Sequence, residues 1–146
     1  MAQVSTVIQI DATPQEVWDV VTDLERTGEW VSIHHDFPEP PPNDLRSGSR
    51  FKQVLKVAGT KFLVQWTAAE VDAPRRLCWD GTGPAGTSAR TGYTLEAAGD
   101  ATRFSYENEF TLPAGKIGKA AARVVARQAQ KRADESLAAL KALVED

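Results

Sequence analysis

The chain has two histidines, His34 and His35, and they stand together with an aspartate in His34-His35-Asp36. Imidazole is the side chain that titrates near neutral pH without help, so this is where acid–base chemistry is looked for first. In an extended segment His34 and Asp36 share one face and His35 takes the other. A histidine oriented by a carboxylate suits a general base that removes a proton next to a carbonyl, and His34 and His35 are the catalytic candidates. The competing reading is a surface pair in a polar stretch before a proline-rich loop. Two histidines and an aspartate on one short strand cannot all aim at one ion, so no metal is expected. Tyr106 and Asn108 supply a hydroxyl and an amide that suit a carbonyl oxygen on which negative charge develops.

Other reactive types offer less. Cys78 is the single cysteine, which excludes an internal disulfide, and its apolar setting Leu77-Cys78-Trp79 suits a buried, inert thiol. Gly81-Thr82-Gly83-Pro84-Ala85-Gly86 has a misplaced proline and no helix after it, so it is a flexible loop and not a phosphate cradle. No serine sits in a nucleophile elbow. Glu107 and Glu109 share a strand face, but that face should meet solvent. No cofactor is expected.

The elements that must position these groups are organised around the C-terminal stretch. Lys116 to Val144 has no proline and, after Gly118, no glycine, and strong helix formers dominate it. At 100° per residue one stripe collects Ala122, Val125, Ala126, Ala129, Ala133, Ser136, Leu137, Leu140, Leu143 and Val144. The opposite stripe holds Lys116, Arg123, Arg127, Lys131, Asp134, Glu135, Lys141 and Glu145. The apolar stripe is uneven. Its C-terminal half has leucines that fill a core; its N-terminal half has small residues that either admit a close sheet or leave a space.

Before this helix the chain reads as strands and turns. Val4 to Ile10 is a strand rich in Val, Ile and Thr. Thr13-Pro14-Gln15-Glu16 is a capping box with proline at the first helical position, opening a helix that carries Val17, Trp18, Val20, Val21 and Leu24. Thr27-Gly28 breaks it, and Glu29-Trp30-Val31 forms a second short turn. Ile33 to Phe37 is the next strand, and Pro38 to Asp44 cannot continue a ladder. Gly48 to Val57 and Lys61 to Val71 form a hairpin about Ala58-Gly59-Thr60. Leu77 to Asp80, Ala89 to Glu96 and Thr102 to Thr111 complete an antiparallel set of seven strands. Residues 1–146 read as one domain.

Strand alternation proposes which side chains face inward. Phe51, Gln53 and Leu55 share one face of their strand, as do Phe62, Val64 and Trp66 on the next, and Phe104, Tyr106, Asn108 and Phe110 on the last. Tyr93 and Arg90 are further polar handles. With Ala122, Val125, Ala126 and Ala129 above them, these residues make an apolar, aromatic lining with a few polar groups, suited to a ring- or chain-containing organic molecule.

A net charge of −3 argues against a nucleic-acid partner. The run of Lys and Arg from Lys116 to Arg132 reads as a solvated helix face. No apolar run reaches the roughly 20 residues that would span a bilayer, and no signal-peptide pattern opens the sequence, so a cytoplasmic protein without stable membrane insertion is expected. Monomer and homodimer both remain open.

The order of elements and several local phrases resemble the START-like, helix-grip superfamily, which includes birch-pollen-allergen-like proteins and the bacterial polyketide cyclase/dehydrase-like family. The phrases are Ile10-Asp11-Ala12-Thr13-Pro14-Gln15-Glu16-Val17-Trp18 with Trp30 after it, Asp72-Ala73-Pro74-Arg75-Arg76-Leu77 leading to Trp79, Tyr93-Thr94-Leu95-Glu96 with Gly99-Asp100-Ala101-Thr102-Arg103, and Leu112-Pro113-Ala114-Gly115 before the helix. The resemblance implies an α+β fold: a curved antiparallel seven-stranded sheet wrapped around the long helix, with two short helices after the first strand and a ligand cavity between sheet and helix. It implies binding of a small hydrophobic or amphipathic, lipid- or polyketide-like molecule there, or a cyclase or dehydratase acting in the same cavity.

Overall fold

The computed structural model describes residues 2–57, 59–111 and 119–146. Seven strands, β1 (Ala2–Ile10), β2 (His34–Asp36), β3 (Arg50–Val57), β4 (Thr60–Asp72), β5 (Arg76–Thr82), β6 (Ser88–Ala98) and β7 (Ala101–Phe110), form one antiparallel sheet in the order β1-β7-β6-β5-β4-β3-β2. From β2 to β7 each strand pairs with the next in sequence, as short turns dictate. β1 closes on β7, pairing Ala2 with Phe110 and Ile10 with Thr102. A helix α1 (Pro14–Val21) and a 3-10 turn (Leu24–Glu29) follow β1, and the long helix α2 (Lys119–Glu145) ends the chain. The expected helix-grip architecture is the observed one. The first turn of the expected long helix, from Lys116, and the phrase Leu112 to Gly115 lie outside the described residues.

The capping box forms as read. Thr13 accepts from the Glu16 backbone at 3.2 Å while the Glu16 carboxylate accepts from the Thr13 N–H at 3.1 Å. Val17, Trp18 and Val21 are thereby committed to the interior. The second helical turn departs from expectation. It begins at Leu24, contains Thr27 and Gly28, and is closed by Thr27 donating its hydroxyl to the Leu24 carbonyl at 2.6 Å. That side-chain bond adds to the backbone bonds of the 3-10 turn, so the segment stays wound through Thr27 and does not break there.

α2 runs along the concave side of the sheet beside β1. Gln130 donates to the Ser5 carbonyl at 3.3 Å and Lys141 to the Gln9 carbonyl at 2.9 Å. The segment entering β2 is pinned as well, by the Ser32 N–H to the Ser136 hydroxyl at 3.0 Å. The apolar stripe faces the sheet: Ala133, Ser136, Leu137 and Leu140 are buried, while Val125, Ala126 and Ala129 are half-buried. The side chain of Ala122 lies outside the described residues.

The core is gathered at one end. Leu137 and Leu140 pack in one cluster with Ile10, Val17, Trp18, Val21, Leu24, Trp30, Leu77, Trp79, Leu95 and Phe104. The Leu140 side chain is fully enclosed. Leu140→Ala is expected to cost about 2–5 kcal/mol, the range for a leucine removed from a packed interior. Chemical denaturation is the measurement, and a loss below about 1 kcal/mol would mean that the stripe does not anchor the sheet.

Candidate ligand-binding site

Residues opposite one another in an antiparallel sheet share a face, so the register settles what the concave side carries. Val57, Leu55, Gln53 and Phe51 of β3 oppose Thr60, Phe62, Val64 and Trp66 of β4. Trp66 opposes Gly81, and Ala68 opposes Trp79. Thr91, Tyr93 and Leu95 of β6 oppose Asn108, Tyr106 and Phe104 of β7, and Ala89 opposes Phe110. The structure thus places Phe51, Gln53, Leu55, Phe62, Val64, Trp66, Tyr93, Phe104, Tyr106, Asn108 and Phe110 on one face, with Val125, Ala126 and Ala129 of α2 above it.

Two of the expected positions are corrected. Arg90 stands on the outer face, exposed and paired with Asp80 across β5 and β6 at 2.8 Å. Parity decides this, because Arg90 lies one residue from the inward Thr91 and Ala89. Asp36 does not share a face with His34. A bulge in β2 sets His34 opposite Leu55 but Asp36 opposite Val54, the outward neighbour, so the carboxylate leaves the imidazole behind. His35 is exposed.

What orients His34 is an amide. Trp66 donates its Nε1–H to Gln53 Oε1 at 2.9 Å, and Gln53 Nε2 lies 2.8 Å from His34 Nδ1. The line crosses β4, β3 and β2 diagonally, the reach of long side chains between neighbouring strands. Gln53 is buried although its amide is polar, and these two bonds satisfy it. Gly81 makes room for the Trp66 ring. A Cβ built on Gly81 would lie 2.6 Å from the indole Cζ3, so this strand position must be bare. Gly81 and Thr82 belong to β5 and not to a flexible loop as the sequence suggested. Burial lowers the affinity of His34 for a second proton, His35 adds to that, and Asp36 opposes it.

The aromatic rings are in mutual contact. Tyr93 sits 5.3 Å from Phe104 and 6.0 Å from Tyr106, and Phe51 meets Trp79 edge-on at 5.2 Å. Asn108 accepts from the Thr91 hydroxyl at 3.1 Å. Burial raises both phenols: Tyr106 to about 12, against a hydrogen bond from Asn108 that favours the phenolate, and Tyr93 further still. Burial likewise raises the Cys78 thiol, as suits an inert cysteine.

The main core cluster stops short of the sheet's far end, although Val4, Leu55 and Val64 are buried outside it. Phe62 and Phe110 point inward, yet both are half-buried and stand outside the core cluster, as do Val125, Ala126 and Ala129. Two clefts lie away from this face. One of about 180 Å³ lies between Asp19, Asp23, Glu25 and Asn43, and one of about 400 Å³ at the β5–β6 ends beside Asp80, Arg90 and Glu109.

Tyr93 and Tyr106 are the two tyrosines of the chain, so tyrosinate absorbance reports on this face alone. A phenol whose folded pKa is raised adds stability that is complete below its unfolded value near 10 and fades as pH climbs through the folded value. The folded protein is therefore expected to show almost no tyrosinate at pH 10, with ionisation appearing toward about 12 together with loss of structure. A normal titration near 10 in folded protein would place both phenols in water.

Comparisons with known proteins agree with this architecture. A family model described as polyketide cyclase/dehydrase and lipid transport matches residues 1–145. An uncharacterised protein of Mycobacterium tuberculosis is 29% identical over 133 residues, spanning 90% of this chain and 93% of its own. A START superfamily protein from Mycobacterium smegmatis superposes with a TM-score of 0.77 at 17% identity, covering 99% of this chain and 98% of that one. The Zhui aromatase/cyclase from Streptomyces sp. R1128 does so with a TM-score of 0.79 at 15% identity, covering 98% and 93%. The fold is START-like, and the chain belongs to the polyketide cyclase/dehydrase and lipid transport family.

Proposed function

We propose that the protein binds a small hydrophobic or amphipathic molecule, of lipid or polyketide character, between the concave face and the N-terminal half of α2. The observation that carries this reading is where the core ends. Among the described residues N-terminal to Leu137, the side chains that α2 turns to the sheet are small ones and Val125, while Phe62 and Phe110 stay half-buried even though Val4, Leu55 and Val64 are buried. Apolar rings left half-buried on a concave face favour an apolar guest. A few polar groups among them, Gln53, Tyr106 and Asn108, supply orientation.

A cyclase- or dehydratase-type reaction in the same place is the second reading, and the observation that favours it is the Tyr93–Tyr106–Asn108 cluster. Phenols held protonated are donors toward a carbonyl oxygen. Under that reading the parent turns over small polyketide-like ketones and Tyr106→Phe loses most of that rate. Binding across such a panel with no turnover leaves the carrier or sensor.

The binding reading is tested by filling the space. Ala126→Trp and Ala129→Trp should each abolish uptake of an environment-sensitive hydrophobic dye while circular dichroism stays that of the parent. Undiminished uptake by both folded variants would move the site elsewhere. Outright unfolding of both would mean that the alanines serve close packing and that no space lies beneath them.

A further inference from the structure

The hydrogen-bond line from Trp66 to His34 has a direction that the chemistry of its members determines. An indole Nε1–H only donates, so the Gln53 atom 2.9 Å from it must be the carbonyl oxygen. The other Gln53 atom is then the amide nitrogen, which also only donates, and His34 Nδ1 at 2.8 Å must accept. A neutral imidazole that accepts at Nδ1 carries its proton on Nε2. Reversing the amide would set its NH2 against the indole N–H, two donors face to face. Gly81, by seating the indole, holds the origin of this polarity in place.

Nε2 itself has no partner among the described residues, and no fully buried side-chain nitrogen or oxygen among them lacks one. Nε2–H is therefore not fully enclosed. His34 opposes Leu55, on the same face as Gln53 and Phe62, and its ring lies tilted against Phe37 with centroids 4.6 Å apart. The charged or titratable neighbours of the ring are His35 and Asp36, both exposed, and neither contacts it by a hydrogen bond.

We infer that His34 is a fixed hydrogen-bond donor, its Nε2–H held by Gln53 and Trp66 to receive an oxygen acceptor, a ketone, enol or carboxylate oxygen, on the ring system that enters the concave face. The inference rests on the binding reading above and specifies it. A guest with an oxygen on its ring edge is selected over its hydrocarbon counterpart, and His34, whose one lone pair is engaged, does not abstract a proton there.

Two measurements on the full chain decide this. The first is the affinity for fluorenone and fluorene, which share a skeleton and differ by one carbonyl oxygen. The parent is expected to prefer fluorenone by roughly three- to tenfold, the worth of one hydrogen bond, and His34→Phe to bind fluorene as the parent does with no preference. The second needs no ligand and no variant fold: nitrogen-15 spectra of the parent at neutral pH should show the His34 Nδ1 unprotonated and Nε2 protonated. A protonated Nδ1, or equal affinity of the parent for both compounds, would overturn the donor assignment and leave the binding reading standing. Failure of the parent to take up fluorene, fluorenone or the dye would overturn the binding reading and this assignment with it.

Discussion

Leu137 and Leu140 inside the concave face are the contact on which the other arrangements depend. A curved sheet has an inner side too apolar to leave wet and too wide for its own side chains to fill, so something must occupy it. At one end α2 does so with leucines, and Trp18, Trp30, Trp79 and Phe104 close around them. A helix of 27 residues is about 40 Å long. Fixed by leucines at one end and by Gln130 and Lys141 along β1, its alanine half must continue over the sheet at the separation the leucines set. The binding reading proposed above puts its guest beneath that half, where the side chains are small, and makes the room for it a consequence of the packing at the other end.

The parts of the fold that were legible in the sequence are those specified locally. The capping box Thr13–Glu16 needs three residues, the α2 stripe needs a period, and the hairpins need a turn with strands of matching alternation. Each is visible without knowing what it packs against. The second helical turn was misplaced because the bond that holds it, Thr27 to the Leu24 carbonyl, is a side-chain bond that no periodicity announces. The inward sets of β3, β4 and β7 followed from alternation alone. Arg90 did not, since a single long polar residue between Ala89 and Thr91 carries no apolar pattern to fix its parity.

Two features of the site were invisible for a stronger reason, since each depends on a neighbour distant in sequence. The bulge in β2 exists because its partner β3 offers Val54 and Leu55 to three residues, and a strand of three residues read by itself alternates regularly. Gly81 looked like one of several loop glycines, but its role is fixed by Trp66 on the facing strand, whose indole occupies the volume a Cβ would need. The signal for it in the sequence is small: a glycine two residues after a buried tryptophan, at inward parity, within reach of an aromatic strand.

These features bear on the character of the site as well as on its shape. A histidine beside an aspartate has its basicity raised and its free nitrogen made an acceptor; a histidine beside a glutamine amide has the reverse. The bulge turns Asp36 to the other face and the diagonal across three strands supplies Gln53, so on the assignment inferred above the free nitrogen of the imidazole is an N–H and not a lone pair. Burial acts in the same sense on Tyr93 and Tyr106, keeping each phenol an O–H. His34, Tyr93 and Tyr106 on this face are therefore all favoured in their neutral, proton-bearing forms. Such a lining lowers the energy of an oxygen that already bears partial negative charge and does little to create one. Under the binding reading proposed above, that is the chemistry of recognising a carbonyl on an apolar skeleton.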